Sequence, residues 1–298
     1  MIINTGFTNN NGNADTLDGL HANEIASNPN LLDNPNFKIN QRGQSEYTTT
    51  DKSIYTVDRW MISPGSKFDV VNSVFSWGED YDTGDGYIQQ NIENPTDLQG
   101  KVVTLSAEFE TNTDDVTVAI YSHDGSDYTV VKGLSSRNGV ISVTTTIPKN
   151  SQIIFVRIIG DISTGTFVPK WAKLELGSVA TPFIPPDPAT ELVKCQRYFE
   201  RVYIPMDKFL IGVMWSCLNS CSYVILYSPK RIVPTVTPYS FGRFVDILNH
   251  VTYDMETFTI DSITNEYAEI ISTWTIESSN KVIGVVDNLG YVDVSADL

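Results

Sequence analysis

Short runs of alternating apolar and polar residues dominate the sequence between positions 68 and 176. The runs cover residues 68–77, 87–92, 102–111, 116–121, 140–147, 153–159 and 167–176. Groups of Gly, Asp, Asn and Ser separate them, and none has a convincing helical period. Because two-residue alternation between turn signals is typical of half-buried strands, the pattern predicts a two-sheet β-sandwich of about eight strands.

A proline-rich stretch follows the last of these runs. Four prolines between positions 182 and 188 predict a stiff, extended connection, because each fixes its own φ and restricts the residue before it. Asp187 and Pro188 are suited to cap and open a helix over residues 190–199. Leu192, Cys195 and Phe199 would share one face of that helix. A β module therefore ends, a spacer follows, and a short helix opens a second unit.

The second unit also has a β pattern. Strands are expected over residues 209–217, 222–227, 257–262, 268–276, 282–286 and 291–294, and a loop over 238–254. Several of these runs are apolar on both faces, which favours subunit contacts and a homotrimer. The predicted fold is all-β: a jelly-roll β-sandwich (31–184), a Pro-rich linker and short helix (185–201), and a second β-sandwich domain (202–298), with a separate segment at 1–30.

Charge and composition exclude several classes of partner. The chain has 36 acidic and 20 basic residues, a net charge of −16, so it lacks the basic surface that nucleic-acid binding needs. No run of about 18 apolar residues exists, so no membrane insertion is expected. The start of the chain also lacks the pattern of a secretory signal. The three cysteines are interpreted as reduced, buried thiols. No cofactor is predicted.

Several motifs carry a family resemblance. The sequence Lys173-Leu-Glu-Leu-Gly-Ser-Val-Ala-Thr-Pro-Phe183, followed by Cys195-Gln-Arg-Tyr-Phe199, resembles a junction in phage and prophage tail-fibre receptor-binding proteins. Residues 31–43, 55–60, 228–237 and 291–298 resemble other parts of the same family, although Asp297 stands where Glu is commoner. In 228–237, the family places basic residues on a strand just before a Pro-Thr-Val run. Independently of the family, Trp60 is expected in the core, with Asp58 and Arg59 as a partly buried pair.

The resemblance implies a carbohydrate-binding-like jelly-roll module and a trimeric C-terminal receptor-binding domain. It also implies that residues 1–30 attach the protein to phage tail or baseplate proteins. In that segment, residues 13–25 resemble a motif found where three chains run together. A disordered tail with one helical turn is the open alternative. The implied location is the virion, after assembly in the host cytoplasm.

Two groups of residues are candidates for binding host surface polysaccharide. Aromatic rings pack against sugar C–H faces, and nearby amides and carboxylates bond the hydroxyls. The predicted carbohydrate-binding residues are Trp77, Tyr81, Asp85, Tyr87, Gln89, Tyr239, Arg243, His250 and Tyr253. The alternative for residues 77–87 is a solvated turn between two core aromatics. A calcium site at Asp80, Asp82 and Asp85 is left open, because their spacing is not that of an EF-hand.

No catalytic motif is present, and the chain is predicted not to be an enzyme. The predicted function is a receptor-binding protein of a phage tail or tail-like particle that adsorbs to a cell-surface glycan. Two alternatives stay open: a small polysaccharide depolymerase, because paired carboxylates are a spatial arrangement that sequence does not reveal, and a structural fibre spacer that binds nothing.

Overall fold

The computed structural model describes residues 16–17, 20–21, 27–77, 86–111, 116–132, 138–160, 165–204, 220–239, 243–246, 251–254, 257–273, 284–287 and 290–297. Within these residues every regular element is a β-strand apart from one α-helix and one 3-10 turn, Pro95–Leu98, which confirms the predicted all-β class. None of the helical segments in these ranges is long and apolar enough to cross a membrane. The predicted homotrimer stays a prediction.

Fourteen strands precede the helix in the described ranges. They are β1 (Thr16–Leu17), β2 (Leu20–His21), β3 (Glu46–Thr48), β4 (Ile54–Tyr55), β5 (Met61–Ile62), β6 (Ser66–Asp69), β7 (Val74–Trp77), β8 (Gly86–Asn91), β9 (Val102–Thr111), β10 (Val116–His123), β11 (Tyr128–Lys132), β12 (Asn138–Thr146), β13 (Ile153–Gly160) and β14 (Gly165–Leu176). The pair β1 and β2 forms a small hairpin with Thr16 opposite His21. Most of residues 1–26 lies outside the described residues, so both interpretations of the segment 1–30 stay predictions.

The other twelve strands form a sandwich of two six-stranded antiparallel sheets. Sheet 1 has the order β11-β10-β13-β8-β5-β4, and sheet 2 has the order β12-β9-β14-β7-β6-β3. From β7 to β10 the chain alternates between the sheets, as in a jelly roll. Their inner faces share one core, in which Ile88, Val118 and Val156 of sheet 1 meet Leu105 and Phe167 of sheet 2. Trp60 is fully buried in this core, as predicted.

The sandwich has twelve strands rather than about eight, because β3, β4, β5 and β11 lie outside the predicted runs. Residues 68–77 form a hairpin, β6 and β7, rather than one strand. Asp69 closes the turn by accepting a hydrogen bond from the Asn72 backbone N–H (3.0 Å), and Ser73 takes a positive φ of 56°. Strand β11 follows the turn at Asp124–Asp127 and was not predicted. Its polar and exposed side chains weaken the alternating signal.

Strand β14 is buried on both sides near its end, not on one side as its alternation predicted. The Lys173 ammonium lies 3.2 Å from Glu175 and donates to the Thr181 hydroxyl (2.6 Å). Glu175 also accepts from the Thr181 backbone N–H (2.9 Å). This network fastens the linker back onto the sandwich, and the Trp171 ring stacks on Phe183 with centres 4.8 Å apart.

The helix α1 (Pro188–Gln196) begins as predicted. The Asp187 carboxylate accepts from the Thr190 N–H at 2.8 Å, and Pro188 is at the first helical position. The buried face is different, however. Glu191 and Cys195 are buried, whereas Leu192 is exposed. Phe199 lies beyond the helix, in the next strand.

Three three-stranded antiparallel sheets follow the helix. Their strands are β15 (Phe199–Ile204), β16 (Ser220–Leu226), β17 (Thr235–Tyr239), β18 (Arg243–Asp246), β19 (Val251–Asp254), β20 (Thr257–Ile263), β21 (Tyr267–Thr273), β22 (Gly284–Asp287) and β23 (Gly290–Ser295). The sheet orders are β15-β23-β17, β16-β21-β20 and β19-β18-β22. The predicted loop over 238–254 is wrong where β18 and β19 pair. The predicted strand over 209–217 lies outside the described residues.

Candidate functional site

The outer face of sheet 1 carries a cluster of aromatic and polar side chains. We call it the aromatic face, and it consists of Tyr87, Gln89, Tyr121, His123, Tyr128, Phe155 and Arg157. Strand pairing brings these residues together: Arg157 is opposite Gln89, Phe155 is opposite Tyr121, and His123 is opposite Tyr128. Because side chains alternate along each strand, their neighbours such as Ile88 and Val156 point into the core.

Arg157 lies at the centre of the aromatic face. Its guanidinium carbon is 3.7 Å from the centre of the Tyr87 ring, 4.7 Å from that of Tyr121 and 4.8 Å from that of Phe155. Stacking of this kind is favourable because the ring face is electron-rich. A half-buried cation thus lies over one tyrosine ring, with two more rings beside it.

Hydrogen bonds fix the orientation of this cation. The Arg157 Nε donates to the Gln89 Oε1 at 2.7 Å, and the Gln89 Nε2 donates to the Asn91 Oδ1 at 2.8 Å. Within the described part of the chain, no carboxylate forms an ion pair with Arg157. Its two terminal nitrogens also form no hydrogen bond with a described residue, so their donors can serve an external acceptor.

The rings continue from Arg157 to the edge of the sheet. Tyr121 and Phe155 stack with centres 4.7 Å apart and planes at 10°. Tyr128 meets the edge of Phe155 at 6.1 Å and lies 4.4 Å from His123. Tyr128 is 60% exposed, so this end of the row is open to solvent. The arrangement offers a ligand apolar ring surface beside directed N–H donors.

The structure separates the residues predicted around the segment 77–87. Tyr87 and Gln89 lie together on the aromatic face. Tyr81 and Asp85 lie outside the described residues, as do the acids considered for calcium. Among the residues that are described, no group of three His, Cys, Asp or Glu is placed to hold a metal ion.

Trp77 was predicted to contact a ligand, and this is wrong. Its side chain is only 6% exposed and lies in the core beside Phe75 and Phe167, with ring centres 5.6 and 5.8 Å away. Three glycines from three strands surround the indole, and a Cβ on any of them would overlap it. These are Gly86, Gly160 and Gly165. Trp77 is therefore a core aromatic, as the alternative expected.

Tyr239 belongs to a second exposed group, which we call the tyrosine row: Tyr203, Tyr291 and Tyr239. The ring of Tyr291 lies 4.8 Å from that of Tyr239 and 6.0 Å from that of Tyr203. Tyr203 is 64% exposed and Tyr239 is 44% exposed. The nearby Arg201 donates to both Asp293 oxygens, at 2.7 and 2.8 Å, and to the Arg42 carbonyl, so most of its donors are already used.

The remaining predicted carbohydrate-binding residues, Arg243, His250 and Tyr253, are only partly described. Arg243 lies on β18 and Tyr253 on the adjacent β19. The backbone register places Arg243 opposite Asp254 and Tyr253 opposite Phe244. His250 lies outside the described residues. Sequence reasoning missed Arg157, Tyr121 and Tyr128. The alternation of residues 116–121 and 153–159 predicts which sheet face carries Tyr121 and Arg157. Only the register between the strands shows that these side chains meet.

Residues of the family-like motifs meet where the sandwich joins the helix. We call this cluster the junction, and it consists of Asp33, Arg42, Asp58, Arg59, Glu93, Arg197, Tyr198, Phe199 and Asp297. The Arg59 guanidinium lies 3.5 Å from the centre of the Tyr198 ring, and that of Arg42 lies 3.8 Å from the centre of Phe199. These contacts hold the sandwich against the segment that follows it.

The predicted pair between Asp58 and Arg59 does not form, because each residue has a different partner. Both are almost fully buried. Arg59 donates to Asp33 at 3.1 Å, while Asp58 accepts from the Gln41 N–H at 3.1 Å and lies 3.8 Å from the Arg42 guanidinium. Burial raises the pKa of Asp58 to about 6, and the Gln41 hydrogen bonds and the Arg42 charge only partly offset it.

Glu93 links the two sides of the junction. It accepts from two Arg197 nitrogens at 3.1 and 2.9 Å and from the Tyr198 hydroxyl at 2.5 Å. Burial alone would raise the pKa of Glu93. The hydrogen bond from Tyr198 and the charges of Arg197 and Arg231 outweigh burial, so the pKa is lowered.

Lys230 and Arg231 lie in the turn before β17 rather than on a strand, which corrects that part of the resemblance. The Lys230 ammonium is buried and donates to the Gln196 carbonyl at 2.6 Å and to Glu200 at 2.8 Å. It thus fastens the turn to the end of the helix.

The free Cys195 is also buried here, and burial raises the pKa of its thiol, which argues against a reactive nucleophile.

Comparisons with known proteins give only distant similarities. No protein-family model matches the chain, and a search of curated proteins found no match. Among solved structures, the carbohydrate-binding and catalytic modules of Clostridium thermocellum endo-1,4-beta-D-xylanase 10B, complexed with xylohexaose, are 10% identical over 53% of this chain, with a TM-score of 0.32. The enzymatically active domain of bacteriophage CBA120 tailspike protein 4 is 12% identical over 50% of this chain, with a TM-score of 0.30.

The same search found a tandem of family 22 carbohydrate-binding modules from Paenibacillus barcinonensis. It is 9% identical, covers 91% of this chain and 98% of its own, and has a TM-score of 0.29. The present chain spans 30% of the xylanase structure and 21% of the tailspike structure. At these scores the similarities establish neither a family nor a ligand.

Proposed function

We propose that this chain binds a cell-surface glycan on the aromatic face. The observation that carries the proposal is the guanidinium of Arg157, which lies over the Tyr87 ring at 3.7 Å, while only its Nε donates to a described residue, Gln89. The tyrosine row also has a guanidinium over a ring, Arg201 at 3.9 Å from the Tyr291 centre, but each of its three nitrogens already donates to Asp293 or to the Arg42 carbonyl. The aromatic face is therefore the better candidate of the two.

The chemistry suits an oxygen-rich ligand with apolar C–H faces. The rings of Tyr87 and Tyr121 supply surface for the sugar, and the Arg157 nitrogens supply donors to its hydroxyls. Because the hydrogen bonds through Gln89 already fix the guanidinium, little side-chain freedom is lost on binding. An open sheet face suits one stretch of a polymer, with modest affinity at each site.

The biological role we propose is receptor binding by a phage tail or tail-like particle. Its support is the motif resemblance, which extends over the junction and the last strand. In this role residues 1–30 attach the chain to tail or baseplate proteins, and three copies act together in the virion. Three weak sites on one particle would gain strength through avidity. We propose that the protein binds the glycan without cleaving it.

The proposal is tested by screening the purified chain on immobilised bacterial glycans and titrating the best ligand. We expect Arg157→Ala and Tyr87→Ala each to weaken binding roughly tenfold, the scale of one charge-assisted hydrogen bond or stacking contact. Lys170→Ala and Tyr267→Ala are matched controls on other surfaces and should bind like the wild type. Unchanged affinity in both test variants would reject the aromatic face.

Two further measurements separate the alternatives. Polymer length is followed by size-exclusion chromatography during incubation, and shortening would identify a depolymerase. Light scattering gives the native mass, and a mass of three chains is expected. Absence of binding to every glycan, with intact polymer, would leave the structural spacer.

A further inference from the structure

A cavity of about 360 Å³ lies at the junction, and none of its lining residues belongs to the aromatic face. One wall comes from the sandwich, including Leu31, Arg59 and Leu98, and the other comes from the end of the helix, including Lys194 and Tyr198. The volume is at the lower end of the range for small-molecule sites. It therefore suits one small ligand or the end unit of a chain rather than a long polymer.

Arg59 gives this cavity an unused donor. The residue is 2% exposed and has a positive φ of 71°, which side chains of this kind rarely adopt. Its Nε donates to Asp33 at 3.1 Å and its NH2 donates to the Asn91 carbonyl at 2.9 Å. The remaining nitrogen, NH1, is buried and has no hydrogen-bond partner. Buried donors are normally paired, so this one favours an acceptor from outside the chain.

The charges around the cavity indicate what kind of acceptor fits. Each cation in the wall already forms an ion pair with a carboxylate. Arg59 pairs with Asp33, Lys194 with Glu191, and Arg197 with Glu93. An anionic ligand would gain no net attraction and would meet these carboxylates. Asp97, also in the wall, forms no ion pair with any described residue, and its carboxylate is an acceptor.

We propose that the junction cavity binds a single neutral sugar unit. Arg59 NH1 donates to one hydroxyl, Asp97 accepts from another, and Leu31 and Leu98 contact the C–H face. The site is incomplete without the helix, so a bound sugar also links the sandwich to the segment that follows. It is separate from the aromatic face and does not depend on the function proposed there.

The test is saturation-transfer difference NMR with D-glucose, D-galactose, D-mannose and N-acetyl-D-glucosamine, and separately with acetate and phosphate. We expect signal from at least one neutral sugar and no competition by the anions. Asp97→Ala should lower the affinity roughly tenfold, as expected for a hydrogen bond to a charged group. Asn94→Trp, at the exposed rim, should abolish binding by filling the cavity. Asp51→Ala is the surface control.

Each outcome decides between the alternatives. Sugar binding that survives in Arg157→Ala but is lost in Asp97→Ala supports the cavity site. Binding that is lost only in Arg157→Ala assigns it to the aromatic face and overturns this proposal. Anion binding without sugar binding, or no binding at all, overturns it as well. Thermal melts of Asp97→Ala and Asn94→Trp check that both variants are folded.

Discussion

The guanidinium of Arg59 lies 3.5 Å from the centre of the Tyr198 ring, and the two residues are 139 positions apart in the chain. Arg59 belongs to the sandwich, and Tyr198 follows the helix. Both come from motifs that resemble the tail-fibre family. Their contact shows that these motifs encode a joint, in which a buried cation and an aromatic ring hold two parts of the chain together.

Replacing Tyr198 tests the joint. Tyr198→Ala removes a buried ring from Arg59 and should lower the free energy of unfolding by about 3 kcal/mol. Tyr198→Phe keeps the ring and loses only the hydrogen bond to Glu93, which should cost about 1 kcal/mol. Urea denaturation followed by tyrosine and tryptophan fluorescence measures both. Equal losses would show that the hydroxyl, not the stacking, secures the contact.

Asp58 makes stability depend on pH in an unusual direction. Its pKa rises from 3.8 to about 6 on folding, because burial disfavours the charged carboxylate. Between these values the folded state binds more protons than the unfolded state, so this group's contribution is present at low pH and is lost as pH rises through 6.

We therefore expect stability to fall more between pH 5 and 7 in the wild type than in Asp58→Asn. Urea midpoints at several pH values provide the measurement. Carboxyl groups with lowered pKa, such as Glu93, titrate below this window, and the histidines are present in both proteins. Parallel pH profiles of the two proteins would contradict the raised pKa.

The packing of Trp77 predicts that Gly160 cannot be replaced by a larger residue without loss of stability. A Cβ at Gly160 would overlap the Trp77 indole, so Gly160→Ala should destabilise the fold by about 3 kcal/mol. Gly139→Ala is the matched control, because no atom lies within 4 Å of its Cβ. Its positive φ of 99° still costs about 1 kcal/mol. Thermal unfolding of both variants ranks them, and a Gly160→Ala protein as stable as the control would show that the indole can move aside.

The buried pair Lys173 and Glu175 predicts strong coupling. Removing one partner leaves an uncompensated buried charge, so Lys173→Met and Glu175→Leu should each cost about 3 kcal/mol. The double variant should cost clearly less than the sum, because it leaves neither charge behind. A double-mutant cycle by urea denaturation measures this, and additive losses would mean that the pair does not interact.

Local patterns predicted much of the fold. Two-residue alternation placed most strands of the sandwich, and Asp187 with Pro188 marked the helix start, because these signals depend on neighbours in sequence. The burial of Lys173 and Glu175 was not predictable in this way. Polar side chains in an alternating strand are expected to face solvent. In the structure, Thr181 and Ser27 cover this end of the strand and accept hydrogen bonds from Lys173.

The candidate site was predicted only in part for the same reason. Tyr87 and Gln89 were recognised because they are close in sequence. Arg157 and Tyr121 complete the cluster through strand register, which no single run of residues encodes. Trp77 has the ring that sugar-binding sites use, but two of the three glycines that receive this ring, Gly160 and Gly165, lie far from it in the sequence.

The contact between Trp77 and Gly86 has a practical consequence for protein engineering. These residues flank positions 78–85, and their mutual packing sets the spacing of the two strand ends whatever sequence lies between them. Longer insertions cost little closure entropy when the ends are already fixed. Randomised peptides grafted at 78–85 would thus form a display library on a constant scaffold, next to the sheet that carries Tyr87.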